Sequence, residues 1–276
     1  MTRHDHRALT DALLPVVLAA GKLEMGYFDA GCAVQTKADQ SPVTIADQQA
    51  EAMIITALAE IMPDHAIVAE EAFAAGQRWA SSETFLLVDA LDGTKQFVSG
   101  HREFTINIAL VHQGRPVYGL VYAPALGELF VTDGPDVAVR ALIEPGAALT
   151  SLASANPSAI RVAPHFGAVV ALQSRSRNID QSNVYLEAFP VTERRLMGSS
   201  YKFCLVAAGI ADIYPQLGDT REWDTAAGEA VLVAAGGHVV SVDGTPIRYG
   251  KTGGDYLNPK FIASSAPLAN LKTAVC

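Results

Sequence analysis

The sequence contains few cysteines, with only Cys32, Cys204 and Cys276 among 276 residues. They are scattered, odd in number and lack Cys-x-x-Cys spacing, which argues against a disulfide framework and a cysteine zinc site. This usage is typical of a reducing compartment. Cys204 lies in an apolar stretch, so we interpret it as a core residue rather than a nucleophile.

The sequence also lacks a long hydrophobic run. The apolar segment 13–20 is far too short to cross a bilayer and contains Pro15. We interpret it as part of an amphipathic helix and find no obvious targeting segment. The sequence therefore predicts a cytoplasmic protein without an obligate membrane partner.

Positive charge is sparse as well. The chain has 20 Lys and Arg residues against 29 Asp and Glu residues, a formal net charge of −9, and no dense basic cluster. Because affinity for a nucleic-acid polymer depends on clustered cations, such a partner is not expected. A small phosphate ester can still bind an acidic protein if a metal ion supplies the positive charge.

A glycine-rich phosphate loop is missing too. Gly236-Gly237 and Gly253-Gly254 are isolated pairs, better interpreted as a helix cap and a turn. The seven histidines lack metal-binding spacing, apart from His4 and His6 near the N-terminus. These absences argue against NTP-driven chemistry, redox cofactors and a histidine zinc site.

Half of the residues are hydrophobic, which suffices for one large domain or two packed ones. The pattern predicts an α+β domain over 1–160, with helices at 7–30 and 44–62 and strands at 66–69, 84–88, 104–112, 117–123, 128–132 and 137–141. Strands alternate with helices after residue 168, which predicts an α/β domain over 161–276. We place the boundary in the loop-rich region 142–167.

The most informative stretch is 89–94, which reads Asp-Ala-Leu-Asp-Gly-Thr and follows the apolar run 84–88. Two carboxylates at the end of a buried strand, with a carbonyl between them and a Gly-Thr turn after them, can bind a divalent metal together with phosphate. An ordinary Asp-Gly turn is the alternative.

Further carboxylates lie close to predicted element ends. They are the pair Glu70-Glu71, which closes the strand 66–69, and Asp224 at the start of an alanine-rich helix; Asp47 is the exception and lies inside the second helix. Each has a simpler explanation as a solvated or helix-capping residue. Together they could bind hard cations, which relieve the repulsion between neighbouring carboxylates. Two such cations about 4 Å apart can hold both oxygens of a phosphoryl transfer.

Taken together, these residues resemble the inositol monophosphatase-like superfamily of metal-dependent, lithium-sensitive phosphatases. That superfamily carries D-P-[LI]-D-G-T, an upstream Glu-Glu pair and W-D-x-A-A-G, matched here by 89–94, Glu70-Glu71 and 223–228. The resemblance covers about residues 10–264 and implies a layered αβαβα sandwich. Ala90 replaces the usual proline, which we expect to loosen the turn without abolishing metal binding, because proline contributes no ligand atom.

Within the superfamily, the chain looks most like the CysQ-type 3′(2′),5′-bisphosphate nucleotidases. Five stretches carry this resemblance: 92–97, 103–110, 198–207, 213–215 and 257–261. The resemblance implies hydrolysis of the 3′-phosphate of adenosine 3′,5′-bisphosphate (PAP), with PAPS as a further substrate, in sulfur metabolism. A phosphatase for inositol or other sugar monophosphates is the nearest alternative, and a catalytically silent binding protein is a more distant one.

The resemblance also implies residue roles. It places two or three Mg²⁺ ions on Glu70, Asp89, the Leu91 carbonyl, Asp92 and Asp224. It implies that Asp47 and Thr94 orient and deprotonate the attacking water, with Glu70 also touching it. For substrate binding we predict Gly93, Thr94, Ser174, Arg175, Ser199, Ser200 and Lys202. A homodimer and peripheral association with the inner membrane are left open.

Overall fold

The computed structural model describes residues 1, 3–31, 33–36, 42–79, 82–164, 167–175, 178–251 and 255–272. The helices are α1 (Arg3–Ala30), α2 (Ile45–Ile61), α3 (Glu70–Ala74), α4 (Thr94–Val98), α5 (Ile179–Leu186), α6 (Tyr201–Ala207), α7 (Ala226–Ala234) and α8 (Leu268–Lys272). The strands are β1 (Val34–Thr36), β2 (Pro42–Thr44), β3 (Ala66–Ala69), β4 (Thr84–Asp92), β5 (Thr105–His112), β6 (Arg115–Ala123), β7 (Glu128–Gly134), β8 (Val137–Leu142), β9 (Ser158–Ile160), β10 (Val169–Ser174), β11 (Val191–Met197), β12 (Ile213–Gln216), β13 (His238–Ser241) and β14 (Phe261–Ser264).

Helix α2 begins at a capping box. The Thr44 side chain accepts a hydrogen bond from the backbone N–H of Ala46, and the Asp47 carboxylate accepts one from the backbone N–H of Thr44. These contacts satisfy donors that the first helical turn leaves unpaired. The helix predicted over 44–62 is therefore present, with Thr44 as its N-cap.

The first sheet has seven strands in the order β3-β4-β5-β6-β7-β8-β9. Strands β3 and β4 run parallel, and every other neighbouring pair is antiparallel. The predicted tight turn at Gln113-Gly114 joins β5 to β6, and both residues have positive φ (52° and 71°). That geometry is typical of a two-residue hairpin loop.

The second sheet has five strands in the order β11-β10-β12-β14-β13. Strand β10 pairs in parallel with β11 and β12, whereas β14 pairs antiparallel with β12 and β13. This half is thus a mixed sheet rather than a purely parallel one. The chain passes from one sheet to the other between Ile160 and Val169.

Five layers follow from the packing. Apolar residues of α1 and α2 cover one face of the first sheet. The other face packs against α6 and α7, which also contact the second sheet. Residues of α5 and α8 cover the outer face of the second sheet. The architecture is the expected αβαβα sandwich.

A glycine sets how closely α7 approaches the first sheet. A Cβ atom at Gly119 in β6 would overlap the backbone carbonyl of Ala227 and the side chain of Ala230. The absence of a side chain at Gly119 therefore allows the helix to lie directly on the strand. This contact fixes the start of α7, next to Asp224.

The structure differs from the sequence-based elements in several places. Strands β1, β2, β9 and β14 and helix α8 were not predicted, because three- to five-residue elements carry too little periodicity. Glu70 and Glu71 open helix α3 instead of closing a strand. Asp224 lies in a separate 3-10 turn, Glu222–Asp224, before α7.

Candidate active site

Four carboxylates singled out in the sequence line a cleft of about 410 Å³ between the two halves of the chain: Glu70, Asp89, Asp92 and Asp224. We call it the acidic cleft. It is lined by Glu70, Asp89, Leu91, Asp92, Gly93, Thr94, Lys95, Gln96, Ser174, Ser199, Lys202, Phe203, Tyr214, Gln216, Asp219, Thr220, Arg221, Trp223, Asp224, Thr225 and Leu257. Its volume falls within the range of small-molecule sites.

A β-bulge brings Asp89 and Asp92 together. Asp89 pairs with Asn107 and Asp92 with Thr105, so three steps along β4 match two steps along β5. Residues three apart on a regular strand point to opposite faces. The extra residue directs both carboxylates into the cleft, a known use of bulges beside active sites. Ala90, at the position of the usual proline, is buried within this bulge.

Three carboxylates form a group that could hold a metal ion. Glu70, Asp89 and Asp224 each offer one oxygen, and these oxygens lie within 4.8 Å of one another. They come from α3, β4 and the turn before α7, so all three must be folded for the group to exist.

The donor set fits a hard cation, because all of its atoms are oxygens and their negative charges repel without one. The repulsion acts on neighbouring groups too. Burial raises the pKa of Asp92 and of Asp47, and the Glu70 carboxylate raises both further. A divalent cation at this position would offset that repulsion.

Asp47 and Thr94 form a hydrogen-bonded pair beside this group. The Thr94 hydroxyl donates to Oδ1 of Asp47 over 2.8 Å, and the Leu91 carbonyl oxygen lies 3.3 Å from the same hydroxyl. The other Asp47 oxygen accepts hydrogen bonds from the backbone N–H and the hydroxyl of Thr44. Burial raises the pKa of Asp47, and these three hydrogen bonds lower it in part. The same bonds hold the carboxylate in one orientation.

Asp92 is fixed from the second half of the chain. Its Oδ2 accepts a hydrogen bond from the backbone N–H of Ser200, and the amide nitrogen of Asn107 lies 3.4 Å from the same oxygen. Burial raises the Asp92 pKa, while Lys202 opposes this change electrostatically. Ser200 therefore binds Asp92, and its buried side chain lies outside the residues that line the cleft.

Asp224 is held by its own turn. Its Oδ2 accepts a 2.8 Å hydrogen bond from the backbone N–H of Arg221, and its carbonyl oxygen accepts one from the Ser200 hydroxyl. Asn107 also donates to the Ser200 hydroxyl over 3.0 Å. A continuous chain of hydrogen bonds thus joins Asp92 to Asp224.

Position 93 favours glycine over any other residue for two reasons. Its φ of 96° is left-handed, and an added Cβ would lie 3.3 Å from the Glu103 carbonyl oxygen and from the Ser199 Cβ. A side chain here would be strained and crowded. The glycine therefore allows the chain to turn from the bulge directly into α4, where Thr94 is the first residue.

The predicted substrate residues fall into two groups. Ser174, Ser199 and Lys202 line the cleft together with Gly93 and Thr94. The buried Lys202 ammonium donates to the Ser199 carbonyl oxygen over 2.6 Å and lies 4.9 Å from the centre of the Tyr214 ring.

Arg175 is placed differently. Its guanidinium pairs with the Glu103 carboxylate at 2.9 Å and also donates to the Leu196 carbonyl oxygen, away from the residues that line the cleft. The neighbouring residues 176 and 177 lie outside the described part of the chain.

Sequence reasoning did not assign roles to several residues at the site. Asn107 is a buried amide in an otherwise apolar strand, a signal that could have marked it. Other cleft residues that were missed are Lys95, Gln216, Asp219, Thr220, Arg221 and Thr225. Asp219, Thr220 and Arg221 lie in the connection after β12, ahead of the motif at 223–228, where the local sequence has no distinctive pattern.

Within the described residues, no helix is both long enough and apolar enough to cross a lipid bilayer.

The fold agrees with the comparisons. The model of the inositol monophosphatase family matches residues 5–275, and the chain belongs to that family. The fold is shared with an IMPase from Thermotoga maritima, which is 24% identical with a TM-score of 0.72 and covers 92% of this chain and 91% of its own.

Three proteins of higher identity over most of the chain are described as CysQ. The chain is 39% identical to the 3′(2′),5′-bisphosphate nucleotidase CysQ of Salmonella typhimurium over 82% of this chain and 86% of that protein. It is 37% identical to CysQ of Escherichia coli K12, covering 84% and 88%. The structure of CysQ from Bacteroides thetaiotaomicron superposes with a TM-score of 0.77 at 31% identity, covering 95% and 98%.

Proposed function

We propose that this protein is a metal-dependent phosphatase that hydrolyses the 3′-phosphate of PAP to give AMP and inorganic phosphate, and that also accepts PAPS. The observation that carries this proposal is the convergence of Glu70, Asp89 and Asp224 beside the Asp47–Thr94 pair in one cleft. Extensive similarity to CysQ nucleotidases supports the choice of substrate.

We assign two or three Mg²⁺ ions to the acidic cleft. Glu70, Asp89, the Leu91 carbonyl, Asp92 and Asp224 would hold them. Bound Mg²⁺ lowers the pKa of coordinated water and stabilises charge on the phosphoryl oxygens.

The Asp47–Thr94 pair then acts on the attacking water. Because Thr94 donates its hydroxyl hydrogen to Asp47, the lone pairs of Thr94 Oγ1 are free to accept a hydrogen bond from that water. Asp47 draws the proton through this hydroxyl as a general base, and its raised pKa suits that role. Water attacks phosphorus in line, the bond from phosphorus to the 3′ oxygen breaks, and that oxygen stays on the ribose and takes up a proton from solvent to become a hydroxyl.

Cationic side chains in the cleft suit a substrate with two phosphates. Lys202, Lys95 and Arg221 all line it. We assign Lys202 to the second phosphate, because its ammonium is buried within the cleft wall. Gly93, Thr94, Ser174 and Ser199 border the space for the scissile phosphate and the ribose. A nucleoside bisphosphate uses these charges more fully than a sugar monophosphate does.

Phosphate release tests the proposal directly. PAP, inositol 1-phosphate and AMP would be compared, each with Mg²⁺ and with EDTA. We expect fast release from PAP only in the presence of Mg²⁺. Preference for inositol 1-phosphate would move the function to the sugar-phosphate alternative, and no release from any of the three would contradict catalysis.

The resemblance also leaves open whether the protein forms a homodimer and whether it binds the inner membrane peripherally. A homodimer would appear by light scattering at twice the 29.1 kDa mass of the chain. Peripheral binding to the inner membrane would appear as cosedimentation with vesicles containing anionic lipid. Neither property is needed for the proposed reaction.

A further inference from the structure

Helix α3 carries the candidate metal ligand Glu70 but is only five residues long. Such a short helix gains little from its own hydrogen bonds, because nucleation of a helix is costly. Its N-cap residue is Ala69, whose side chain offers no oxygen to the unpaired N–H groups of the first turn. The position of Glu70 must therefore be fixed from outside α3.

Glu51 in α2 provides that contact. One carboxylate oxygen accepts the backbone N–H of Glu71 over 2.7 Å, and the other accepts the N–H of Ala72 over 2.8 Å. Glu51 is only 4% exposed, so water competes little for these bonds. A carboxylate at a helix N-terminus is also favoured by the helix dipole.

Glu51 lies one helical turn after Asp47, and both carboxylates are buried. Residues four apart lie on the same face of a helix. This face of α2 therefore holds two parts of the site at once: Asp47 binds Thr94, and Glu51 binds the start of α3. Packing of α2 through Ile54 against the core keeps both carboxylates in register.

We infer that Glu51 is a positioning residue that fixes Glu70 for metal binding and couples the metal centre to the Asp47–Thr94 pair. This inference rests on the proposed metal centre. Residues behind metal ligands commonly change metal affinity by about 10- to 100-fold when they are replaced. Glu51 does so by orienting the backbone of the ligand's helix.

The test is Glu51→Gln. The amide keeps one acceptor and presents its NH₂ group to the second backbone N–H, so one of the two bonds is lost. We expect the Kd for Mg²⁺, measured by calorimetry without substrate, to rise at least about tenfold. The KM for PAP at saturating Mg²⁺ should change less than twofold.

Two further variants separate positioning from stability and charge. Glu60→Gln removes a carboxylate from an exposed position on the same helix and should leave the Kd unchanged. Ile262→Val trims a buried residue of β14, away from α2, and should lower Tm without changing Mg²⁺ affinity. If Glu51→Gln lowers only Tm, Glu51 is merely a structural cap and the inference is overturned.

The same calorimetry distinguishes failure of this inference from failure of the proposed function. If the wild-type protein binds no Mg²⁺ in the calorimeter, the metal centre itself is wrong. If it binds Mg²⁺ and Glu51→Gln binds equally well, only the role of Glu51 is wrong. Should Glu51→Gln not fold, Glu51→Asp, which keeps the charge but retracts the carboxylate, is measured in the same way with the same expected loss.

Discussion

The Thr94 hydroxyl donates a 2.8 Å hydrogen bond to Asp47, a residue 47 positions earlier in the chain. This bond joins the turn after β4 to the first turn of α2. It also fixes the direction in which the hydroxyl can accept a hydrogen bond.

Thr94→Val should therefore abolish most turnover while keeping the shape of the side chain. Loss of general-base assistance typically costs about 10²- to 10⁴-fold in rate. We expect kcat for PAP to fall within that range, with the Kd for Mg²⁺ within threefold of wild type. Thr94→Ser, which keeps the hydroxyl, should retain much of the activity; a Val variant as active as the Ser variant would contradict the role of Asp47 and Thr94.

Asp89→Asn should lower kcat by orders of magnitude while leaving the fold intact. The substitution removes a charged oxygen from the group formed with Glu70 and Asp224. Calorimetry should show weaker Mg²⁺ binding, and far-UV circular dichroism should be unchanged. Glu193→Gln, on the exposed strand β11, is the matched control and should behave as wild type. Near-wild-type activity of Asp89→Asn would refute the metal assignment.

Gly93→Ala should impair both stability and substrate binding. A left-handed φ costs a residue with a Cβ roughly 1–2 kcal/mol, and the added atom also crowds the Glu103 carbonyl. We expect a lower midpoint of urea unfolding and a raised KM for PAP. Gly26→Ala in α1, where an added Cβ meets no atom within 4 Å, should be neutral or stabilising. Equal behaviour of the two variants would show that the backbone at Gly93 is not restrictive.

Glu229 should make stability depend on pH near neutrality. Burial raises its pKa from 4.5 to about 7, so the folded protein retains a proton that the unfolded chain has released. Its contribution to the free energy of unfolding is fully present below pH 4.5 and is lost as pH rises to about 7, at up to about 1.4 kcal/mol per pH unit.

Glu229→Gln removes that titrating group. Urea unfolding at pH 5 and pH 8 should show a smaller loss of stability for the variant than for the wild type. The Tyr249 hydroxyl, which donates to Glu229 over 2.6 Å, can still donate to the amide oxygen. Identical pH dependence in the two proteins would show that Glu229 ionises alike in both states.

Glu24→Leu should stabilise the protein. Both carboxylate oxygens of Glu24 are buried in α1 without a hydrogen-bond partner among the described residues, and burial raises the pKa of Glu24 well above its usual range. Removing an unsatisfied buried polar group is worth about 1–3 kcal/mol. Thermal unfolding should show a higher Tm than wild type and Glu24→Gln; a lower Tm would mean that a partner such as bound water satisfies the carboxyl group.

Long, strongly patterned elements were predictable from the sequence. The capping box at Thr44 and the apolar strands of the first sheet leave local signals, and the structure confirms them. Glu70 shows the limit of such reasoning. The Glu-Glu pair could end a strand or start a helix. The contact with Glu51, 20 positions earlier, favours the helix, and the local sequence contains no information about that contact.

In the candidate site, too, some residues are marked by the local sequence and others only by tertiary contacts. The stretch 89–94 indicated a metal site by its composition alone. Ser200 binds Asp92 across the two halves, and Asn107 contacts it from the neighbouring strand β5, so only tertiary structure identifies their role. Arg175 is the opposite case: its charge suggested a substrate contact, but its guanidinium pairs with Glu103.

Helix α7 lies between the two sheets, although residues 226–234 leave the ribosome after every strand of the first sheet. During translation, the first sheet is complete while the apolar face around Gly119 still awaits this helix. Asp224, the last of the three clustered carboxylates, emerges only just before it. The order of synthesis thus delays a complete group of the three carboxylates until residue 224 has been made, after every strand of the first sheet.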